Sequence, residues 1–446
     1  MKKVVLGTIF LSVLVFLSGC GGMTNPAVPP TQTTGTMAAI QTGDGVNDQV
    51  LKFELTISSI VLTGVSPTAN TGNLLSGPAE VEFVHEAGTL ELLTLAHIPP
   101  GTYSGATLMV SDPEVVVVNG TTPTKVPATL TSTTVNVTFA NITVGTTPLF
   151  VNFDLDLANS ITLNGNPITL ATVNPKFNVT STTVPPNEGD EDDDNGEIED
   201  VHGSVKSIAA PNFTITTNSG DMTFATDSNT RFSDGLTQLS DLKVGEIVEV
   251  DGVTKSDGTK LATKVGLEDE PNGEELEGII SAVTGSPATS LTVVHQVDST
   301  HVNNQPLTVD VTVNSNTAFV VRADRLNVGS VPPFDATHVG KGQRIEVNSE
   351  NTTTPIVAKK IKLREQALIG TVAASPTPTS SGFTLNVSPT SAFGKLSGAT
   401  TVAVTIPNGA KLKVTPTPGA TIRVRGLVFV NGATYTMIAT RGDDNH

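Results

Sequence analysis

The sequence lacks tryptophan and contains only two tyrosines, Tyr103 and Tyr435, among its 446 residues. Proteins that hold single-stranded nucleic acid usually stack its bases on aromatic side chains, and glycan-binding platforms use aromatic side chains in the same way. Positive charge is also scarce, with 25 lysines and arginines against 43 aspartates and glutamates and a net charge of −18. Such a surface repels nucleic acid and acidic lipid. We therefore expect no nucleic-acid partner.

The only cysteine is Cys20, which excludes a disulfide within one chain, so that hydrophobic cores must provide the stability. The sequence also lacks a His-Glu-x-x-His metal motif, a Gly-x-Ser-x-Gly nucleophile elbow and a phosphate-binding loop. None of the seven histidines stands at helical metal-ligand spacing from another. We expect no enzymatic activity and no cofactor.

The chain is rich in threonine, valine, serine, glycine, proline and asparagine. Long helical periodicities are nearly absent, and short stretches that alternate apolar and polar residues indicate β-strands. We predict an all-β protein in which an N-terminal β-sandwich precedes an array of three small OB-like β-barrels. The predicted segments are a signal peptide (1–20), a flexible tether (21–48), the sandwich (49–184), an acidic linker (185–200) and barrels at 201–275, 276–365 and 366–446.

The N-terminus has the layout of a secretory signal. Two lysines follow Met1, and the stretch from Val4 to Leu17 is nearly all apolar. This stretch is too short for a comfortable transmembrane helix. There are two alternatives to a lipoprotein signal. One is an ordinary signal peptide in which the cysteine is incidental, and the other is a short membrane helix.

The four residues from Leu17 to Cys20, Leu-Ser-Gly-Cys, resemble the bacterial lipobox. The resemblance implies cleavage between Gly19 and Cys20, diacylglycerol on the Cys20 thiol and a fatty acyl chain such as palmitate on the new amino terminus. Several acyl chains on one residue anchor a protein stably, because each buried CH₂ contributes about 0.8 kcal/mol. The residue after the cysteine is Gly21 rather than aspartate, which implies the outer membrane. The predicted partner of Cys20 is therefore the lipid bilayer.

The segment predicted as a sandwich contains two motifs that resemble a known family. Residues 98–103 read Ile-Pro-Pro-Gly-Thr-Tyr, and residues 153–156 read Phe-Asp-Leu-Asp, with Asn159 and Ser160 downstream. They are similar to the bacterial family catalogued as domain of unknown function 4382, which implies an exported β domain and no assigned activity. We expect Tyr103 to anchor its turn on the sandwich, and a binding role for this aromatic ring is the alternative.

Asp154 and Asp156 are the best candidates for a catalytic pair. On a strand they share one face, about 6.6 Å apart along the strand, and a carboxylate pair can act as acid and base in glycoside hydrolysis. An envelope hydrolase with an unrecognised carboxylate site is therefore the alternative function. The simpler interpretation is that Phe153 and Leu155 are buried while both carboxylates face water.

The segment from Glu188 to Asp200 contains nine acidic residues and no basic one. A run of like charge this dense stays solvated and extended. A calcium loop is the alternative, but neither register that begins at Asp190 or Glu191 places glycine and glutamate where an EF-hand loop requires them. We therefore expect a linker between two parts of the chain that fold independently.

Three copies of one pattern follow the linker. They begin at Gly203, Gly278 and Gly370, each followed by alternating β-branched residues, which predicts a turn that leads into a half-buried strand. The first copy, which includes Leu-Ser-Asp-Leu-Lys-Val-Gly at 239–245, resembles the family catalogued as domain of unknown function 5666, and the later copies resemble it less. The resemblance to that family implies no established biochemical activity.

The last predicted barrel is basic on an acidic protein, with six basic and two acidic residues and a net charge of +4 over 366–446. Its Lys411, Lys413, Arg423 and Arg425 alternate with apolar residues, so strand periodicity predicts one exposed positive stripe. Such a stripe would suit an anionic partner, either a membrane or wall polymer or the protein's own acidic linker. The alternative is that these positive charges reflect chance variation of surface residues.

Together these features predict a membrane-anchored exported lipoprotein of the bacterial cell envelope, in the outer membrane. Its expected role is noncatalytic. The protein would either bind a partner, which is an envelope protein or an anionic polymer, or have a purely structural role. The envelope hydrolase remains the alternative.

Overall fold

The computed structural model describes residues 31–45, 47–84, 91–147, 149–183, 197–217, 220–233, 236–255, 258–267, 275–296, 307–321, 330–349, 355–408 and 410–443. The predicted signal peptide, Cys20 and the acidic residues from Glu188 to Asp194 lie outside these ranges. The described residues form β-strands, with two short α-helices and one turn of 3₁₀-helix at Leu239–Asp241. The predicted all-β fold class is confirmed.

The N-terminal domain contains twelve strands and one helical turn. They are β1 (Thr36–Gly45), β2 (Val50–Gly64), β3 (Ala79–Glu82), β4 (Glu91–Ile98), β5 (Gly101–Asn119), β6 (Thr122–Val126), β7 (Ala128–Leu130), β8 (Thr134–Val144), β9 (Leu149–Asp156), α1 (Leu157–Ser160), β10 (Ile161–Asn164), β11 (Leu170–Val173) and β12 (Phe177–Thr183).

Two main sheets and one small sheet make up this domain. One main sheet has the order β12-β9-β1-β4, the other has the order β3-β2-β5-β6 with β8 also on β5, and the small sheet has the order β10-β11-β7. The side chains between the main sheets form one hydrophobic cluster, in which Phe53 and Leu55 of β2 join Phe153 and Leu155 of β9. All four are fully buried, as the alternation of β2 and β9 predicts.

Strand β1 lies inside the segment predicted as a flexible tether, so that prediction is wrong for residues 36–45. The strand pairs antiparallel with β4 and parallel with β9. It is buried on both faces, since Ile40, Gln41 and Thr42 are each at most 1% exposed. A strand covered on both faces has no apolar–polar alternation, so periodicity did not reveal it.

The C-terminal region contains eighteen strands and α2. They are β13 (Glu197–Ala209), β14 (Asn212–Thr217), β15 (Gly220–Ala225), β16 (Arg231–Ser233), β17 (Ile247–Thr254), β18 (Lys260–Leu267), β19 (Glu275–Gly285), β20 (Ala288–Gln296), β21 (Thr308–Thr312), β22 (Ala318–Val321), β23 (Arg344–Ser349), β24 (Ile356–Leu363), β25 (Glu365–Val372), β26 (Gly382–Val387), α2 (Ala392–Ser397), β27 (Thr401–Thr405), β28 (Lys411–Leu412), β29 (Thr421–Asn431) and β30 (Thr434–Asp443).

These strands form three closed barrels with the same topology. In barrel 1 the order β15-β14-β13-β17-β18 closes through parallel pairing of β15 with β18, and the short β16 adds to β18. The same order recurs in barrel 2 (β19–β24) and barrel 3 (β25–β30). The predicted array of three barrels is confirmed. Barrel 1 begins earlier than expected, because Ile198 is 2% exposed and belongs to its core.

The repeated glycines lie within the first strand of each barrel and not in a turn before it, so the predicted turns at these positions are wrong. A Cβ atom at Gly203, Gly278 or Gly370 would lie 2.8, 2.0 or 2.2 Å from a carbonyl oxygen of the neighbouring strand. Each glycine therefore permits a close approach of two backbones at a bend of the barrel wall. Any larger residue would force the strands apart.

The N-terminal domain packs directly on barrels 2 and 3. A separate hydrophobic cluster joins Leu51, Val116 and Val118 to Ile279 and Val294 of barrel 2 and to Ala392 and Leu396 of α2. The Lys395 ammonium donates to the Val118 carbonyl at 2.9 Å, and the Ala392 N–H donates to the Asp48 carbonyl at 2.6 Å. These contacts join the two parts that the sequence predicts to fold independently.

We expect the halves of the chain to stay together after the linker is cut. A protease site inserted between residues 184 and 196 should yield two fragments that co-elute in gel filtration, because the apolar contact survives the cut. The control is the same cut chain carrying Leu51→Asp and Val116→Asp, which should separate. If the unsubstituted fragments elute apart, the interdomain contact is too weak to hold them.

Candidate functional site

The predicted lipidation site, Cys20 with cleavage after Gly19, lies outside the described residues. Within the residues that the structure does describe, every helix is too short to cross a bilayer. The lipobox therefore stays a prediction from sequence.

Tyr103 anchors its turn, as predicted. The side chain is fully buried in the sandwich core. Its hydroxyl donates to the Pro99 carbonyl at 2.8 Å, which ties the Pro-Pro-Gly turn to the strand that follows it. This burial leaves the ring no surface for a ligand.

Asp156 has a structural role at the end of β9. Its carboxylate accepts from the Asn159 backbone N–H at 3.1 Å and from the Asn159 side-chain amide at 2.7 Å, which caps α1 at its N-terminus. The helix places Ser160, whose carbonyl and hydroxyl oxygens accept from the backbone N–H groups of Asn174 and Lys176 at 2.8 and 2.9 Å. The motif at 153–160 thus supports the β11–β12 loop.

That loop borders a groove of about 380 Å³ between the edges of the two main sheets. The groove is lined by Ser132 and residues 134–138 on the β8 side and by residues 174–177 on the β12 side. Its volume is at the lower end of the range of ligand pockets.

The predicted basic stripe on barrel 3 is wrong. Strand β28, with Lys411, pairs with β30 and not with β29, so the two pairs of basic residues are not adjacent. Arg423 and Arg425 are each 8% exposed, and the Arg425 guanidinium contacts a Glu365 carboxylate oxygen at 3.1 Å. Strand periodicity correctly places both arginines outside the barrel, but neighbouring elements cover that outer surface.

Where the barrels cover one another, buried ion pairs link barrels 1 and 2. We call them the ion-pair network. Glu249 of barrel 1 lies 4.0 Å from Lys264 and 3.6 Å from Lys362 of barrel 2. Lys362 lies 2.6 Å from Glu346, which lies 3.4 Å from Arg364. Lys362, Glu346 and Glu249 are at most 5% exposed. These charges serve contact between the barrels.

Glu277 extends the ion-pair network toward barrel 3. Its carboxylate lies 3.5 Å from Arg364 and 2.6 Å from Arg344. The Arg344 guanidinium donates to the Glu365 carbonyl at 2.8 Å, and Glu365 is also the partner of Arg425. Burial lowers the pKa of Arg344, Glu277 opposes that shift, and the nearby cations Arg364 and Arg425 add to it. The network therefore reaches all three barrels.

Three carboxylates form a row across the main sheet that contains β2, β3 and β5. Glu54 of β2 stands opposite Glu82 of β3 on one side and Glu114 of β5 on the other. Lys52 lies 2.7 Å from Glu54 and 3.2 Å from Glu114. Burial raises the pKa of Glu54 to about 7, Lys52 opposes the shift, and Glu82 and Glu114 add to it. Glu114 is also paired with Lys125.

The carboxylate row has the acid–base character that a hydrolase needs but not the access. Burial raises the pKa of Glu114, but Lys125 and Lys52 together hold it below the ordinary value. The pKa values of Glu54 and Glu114 are therefore shifted in opposite directions, as in enzymes that use one carboxyl group as acid and another as base. Glu54 and Glu82 are 2% and 6% exposed, however. A substrate would have to open the sheet to reach them.

A second, smaller cavity of about 70 Å³ lies where the N-terminal domain meets barrels 2 and 3. Its wall includes Leu51, Ile279 and Leu396 from the apolar contact, together with Asp48 and Arg344. Burial raises the pKa of Asp48 while Lys395 lowers it. The cavity has room for a few water molecules. Across the described ranges, no three histidine, cysteine, aspartate or glutamate side chains are grouped to hold a metal ion.

Comparison with known proteins gives one family match. Residues 202–266 match the model of a family described as a domain of unknown function, DUF5666, and these residues correspond to barrel 1 from β13 to β18. The predicted resemblance of the first copy is confirmed. No curated protein matches the sequence.

Two solved structures show weak likeness. One is described as Drosophila Unr CSD456, with 14% identity, 55% of this chain and 96% of that chain covered, and a TM-score of 0.13. The other is a multidomain protein with nucleic acid binding domains from Streptococcus pneumoniae TIGR4, with 12% identity, 54% and 72% covered, and a TM-score of 0.12. Superposition at these scores is too poor to inform function.

Proposed function

We propose that the protein is an exported lipoprotein, held in the outer membrane of a bacterium by acylated Cys20, with a noncatalytic binding or structural role in the cell envelope. The observation that carries this proposal is the position of the only cysteine, directly after Leu-Ser-Gly at the end of an apolar segment. Acyl chains on this residue would anchor the chain stably.

The packing of the domains is compatible with a role in presenting surfaces to a partner. Three closed barrels and a sandwich are held together by an apolar cluster, by the buried ion pair between Lys362 and Glu249, and by the hydrogen bond from Arg344 to the Glu365 carbonyl. Such contacts favour a fixed arrangement of the domains. A fixed arrangement keeps exposed binding surfaces at constant distances from the membrane-proximal end.

The hydrolase alternative has its best support in the carboxylate row, where Glu54 has a pKa of about 7. The burial of that row weighs against it. Asp156 is used for helix capping, which gives the sequence-predicted pair a simpler explanation. The noncatalytic role is therefore the function that we propose.

Cys20→Ser should prevent lipid attachment and lipoprotein-type cleavage, because the serine hydroxyl does not replace the thiolate as acceptor of diacylglycerol. We expect the wild-type chain to enter the detergent phase after phase separation and to incorporate labelled palmitate, and the variant to do neither. Ser18→Ala is the matched control, since it keeps a small residue beside the cleavage site. Identical incorporation of palmitate by wild type and Cys20→Ser would refute the anchor.

A further inference from the structure

We infer that two copies of this chain associate through the exposed turn before β17, residues 243–246, named here the barrel 1 turn. The partner of this turn is the same turn of a second copy, related to it by a two-fold axis. This contact goes beyond the proposed function, although it rests on the acylated Cys20 for the local concentration that makes a small contact effective.

An equivalent turn occurs in all three barrels, before β17, β23 and β29. In each turn a glycine has a left-handed φ, which is +92, +84 and +82° at Gly245, Gly342 and Gly419. Each of these glycines donates its N–H to the first strand of its own barrel, at the carbonyl oxygens of Val205, Ile280 and Val372. The three turns therefore occupy the same position in the repeated fold.

In barrel 2 this turn joins the barrel to its neighbour. The Tyr435 hydroxyl of barrel 3 donates to the Lys341 carbonyl at 3.0 Å. The Gln343 side-chain amide donates to the Val428 carbonyl of barrel 3 at 2.7 Å, and Gln343 is fully buried. The turn therefore has a shape against which a second barrel packs.

The barrel 1 turn has the same form but is exposed. Val244 at its tip is 65% exposed, more than any other large hydrophobic side chain in the described ranges. Glu246, which is equivalent to Gln343, also remains accessible, with 26% of its side chain exposed. One exposed valine needs no explanation by itself. At the tip of a turn that joins two barrels elsewhere in the same chain, it indicates a contact with another molecule.

The charges on either side of Val244 favour a second copy as the partner. Lys243 and Glu246 flank this valine, and their charged groups are 3.7 Å apart, which leaves both accessible to another partner. A two-fold axis through the contact would place each Lys243 opposite Glu246 of the other copy. The turn is therefore complementary to itself, as the surface of a symmetric dimer must be.

The other charged groups that flank the turn allow a close approach. Asp241 accepts from two backbone N–H groups of its own helical turn. Lys206, on the strand that hydrogen-bonds to the barrel 1 turn, is paired with Asp221. Together with Lys243 and Glu246 these groups are two cations and three carboxylates. Such a nearly neutral patch on a chain with a net charge of −18 is a place where two copies meet with little repulsion.

The contact is small, so it depends on confinement at a membrane. Interfaces that bury less than about 1,000 Å² are weak or transient in solution. Two chains anchored by Cys20 in one bilayer would meet at a much higher local concentration than free chains, as linked binding modules do. We therefore expect little dimer in dilute solution and more dimer on vesicles.

The first test is crosslinking of the full anchored chain with Val244→Cys in phosphatidylcholine vesicles, by a short bis-maleimide. We expect a crosslinked dimer, because the two introduced thiols lie at the centre of the contact. Pro418→Cys is the matched control, since Pro418 is the exposed equivalent of Val244 in the barrel 3 turn, and it should give much less dimer. Equal yields from the two variants would overturn the inference.

A mixing experiment tests the two-fold pairing. With Val244→Cys in both chains, Lys243→Glu gives a turn with two acidic groups and Glu246→Lys gives a turn with two basic groups. Each variant alone should crosslink poorly, because like charges face one another. A mixture should give about ten-fold more heterodimer than either homodimer, the combined effect of two exposed ion pairs, and high salt should reduce this excess.

This mixture separates contact between copies from an effect within one turn. Both variants lack the ion pair within their own turn, so a gain on mixing comes only from contact between chains. Circular dichroism checks that both variants fold. Equal yields in the mixture and in the separate samples would contradict the two-fold contact. Efficient crosslinking between Val244→Cys and Pro418→Cys chains would also contradict it, because the association would then be nonspecific.

A soluble arm distinguishes this contact from the membrane anchor. It uses the same pair of variants with Cys20→Ser, so that the introduced cysteine is the only thiol, in concentrated solution. If the anchor is wrong and the contact is right, the excess of heterodimer persists in solution and vesicles add nothing. If the anchor is right and the contact is wrong, vesicle-bound chains crosslink without any preference for the heterodimer.

Discussion

Replacement of Glu346 by glutamine is expected to destabilise barrel 2 by about 3–5 kcal/mol, the usual cost of breaking a buried ion pair by removal of one partner. Glu346 is 1% exposed and lies 2.6 Å from Lys362 and 3.4 Å from Arg364. Without its carboxylate, two buried cations lose a shared counter-ion. The loss should appear as a lower midpoint of urea unfolding, followed by circular dichroism.

The double variant Glu346→Leu with Lys362→Met separates this cost from the net contribution of the pair. Replacing both members of a buried pair by apolar residues is often close to neutral, so the double variant should be more stable than Glu346→Gln. Lys206→Met is the control, since the Lys206–Asp221 pair is exposed and exposed pairs contribute little to stability. If Glu346→Gln costs no more than Lys206→Met, the ion-pair network has no role in stability.

Sequence periodicity was sufficient for the elements whose surroundings are simple. The end of strand β9 alternates between buried and half-buried residues, so the alternation of Phe153 and Leu155 with the aspartates gave the correct orientation there. The three barrels repeat one order of strands, and their common pattern in the sequence was visible. Tyr103 followed a turn motif that predicts anchoring, and its hydroxyl bond agrees.

Periodicity failed where a second domain covers a surface. Arg425, Glu346 and Glu249 occupy outward positions of equivalent barrel strands, and an isolated barrel would expose them to water. Contacts between domains bury all three, and a pattern within one strand has no information about those contacts. An acidic partner for Arg425 was available in Glu365, but the two are sixty residues apart in sequence.

The groove shows a different limit. Its lining includes Asn136 on β8 and Asn174 in the β11–β12 loop, which Ser160 supports, and these residues come together only because two separate sheets end side by side. A pattern within one strand does not show which sheet edges meet, so the groove could not be predicted from the sequence.

Glu54→Gln is expected to stabilise the protein at pH 8 and to leave its stability unchanged near pH 4. The carboxyl of Glu54 has a pKa of about 7 in the folded protein, against about 4.3 for an unperturbed glutamate. Below pH 4 the carboxyl is protonated in both the folded and the unfolded state, so its ionisation does not change the free energy of unfolding. Between pH 4 and 7 the unfolded chain loses this proton while the folded chain retains it, so stability falls as the pH rises.

Above pH 7 the penalty reaches its full value, about 4 kcal/mol for a difference of this size between the two pKa values. Glutamine has the shape of the carboxyl group without its ionisation, so the variant should avoid the penalty. Unfolding midpoints at pH 4, 6 and 8 should therefore diverge progressively from those of the wild type. Glu80→Gln, on the same sheet but more exposed, is the control and should show no such divergence. If Glu54→Gln is instead less stable than wild type at pH 8, the ion pair with Lys52 outweighs the burial of the carboxylate.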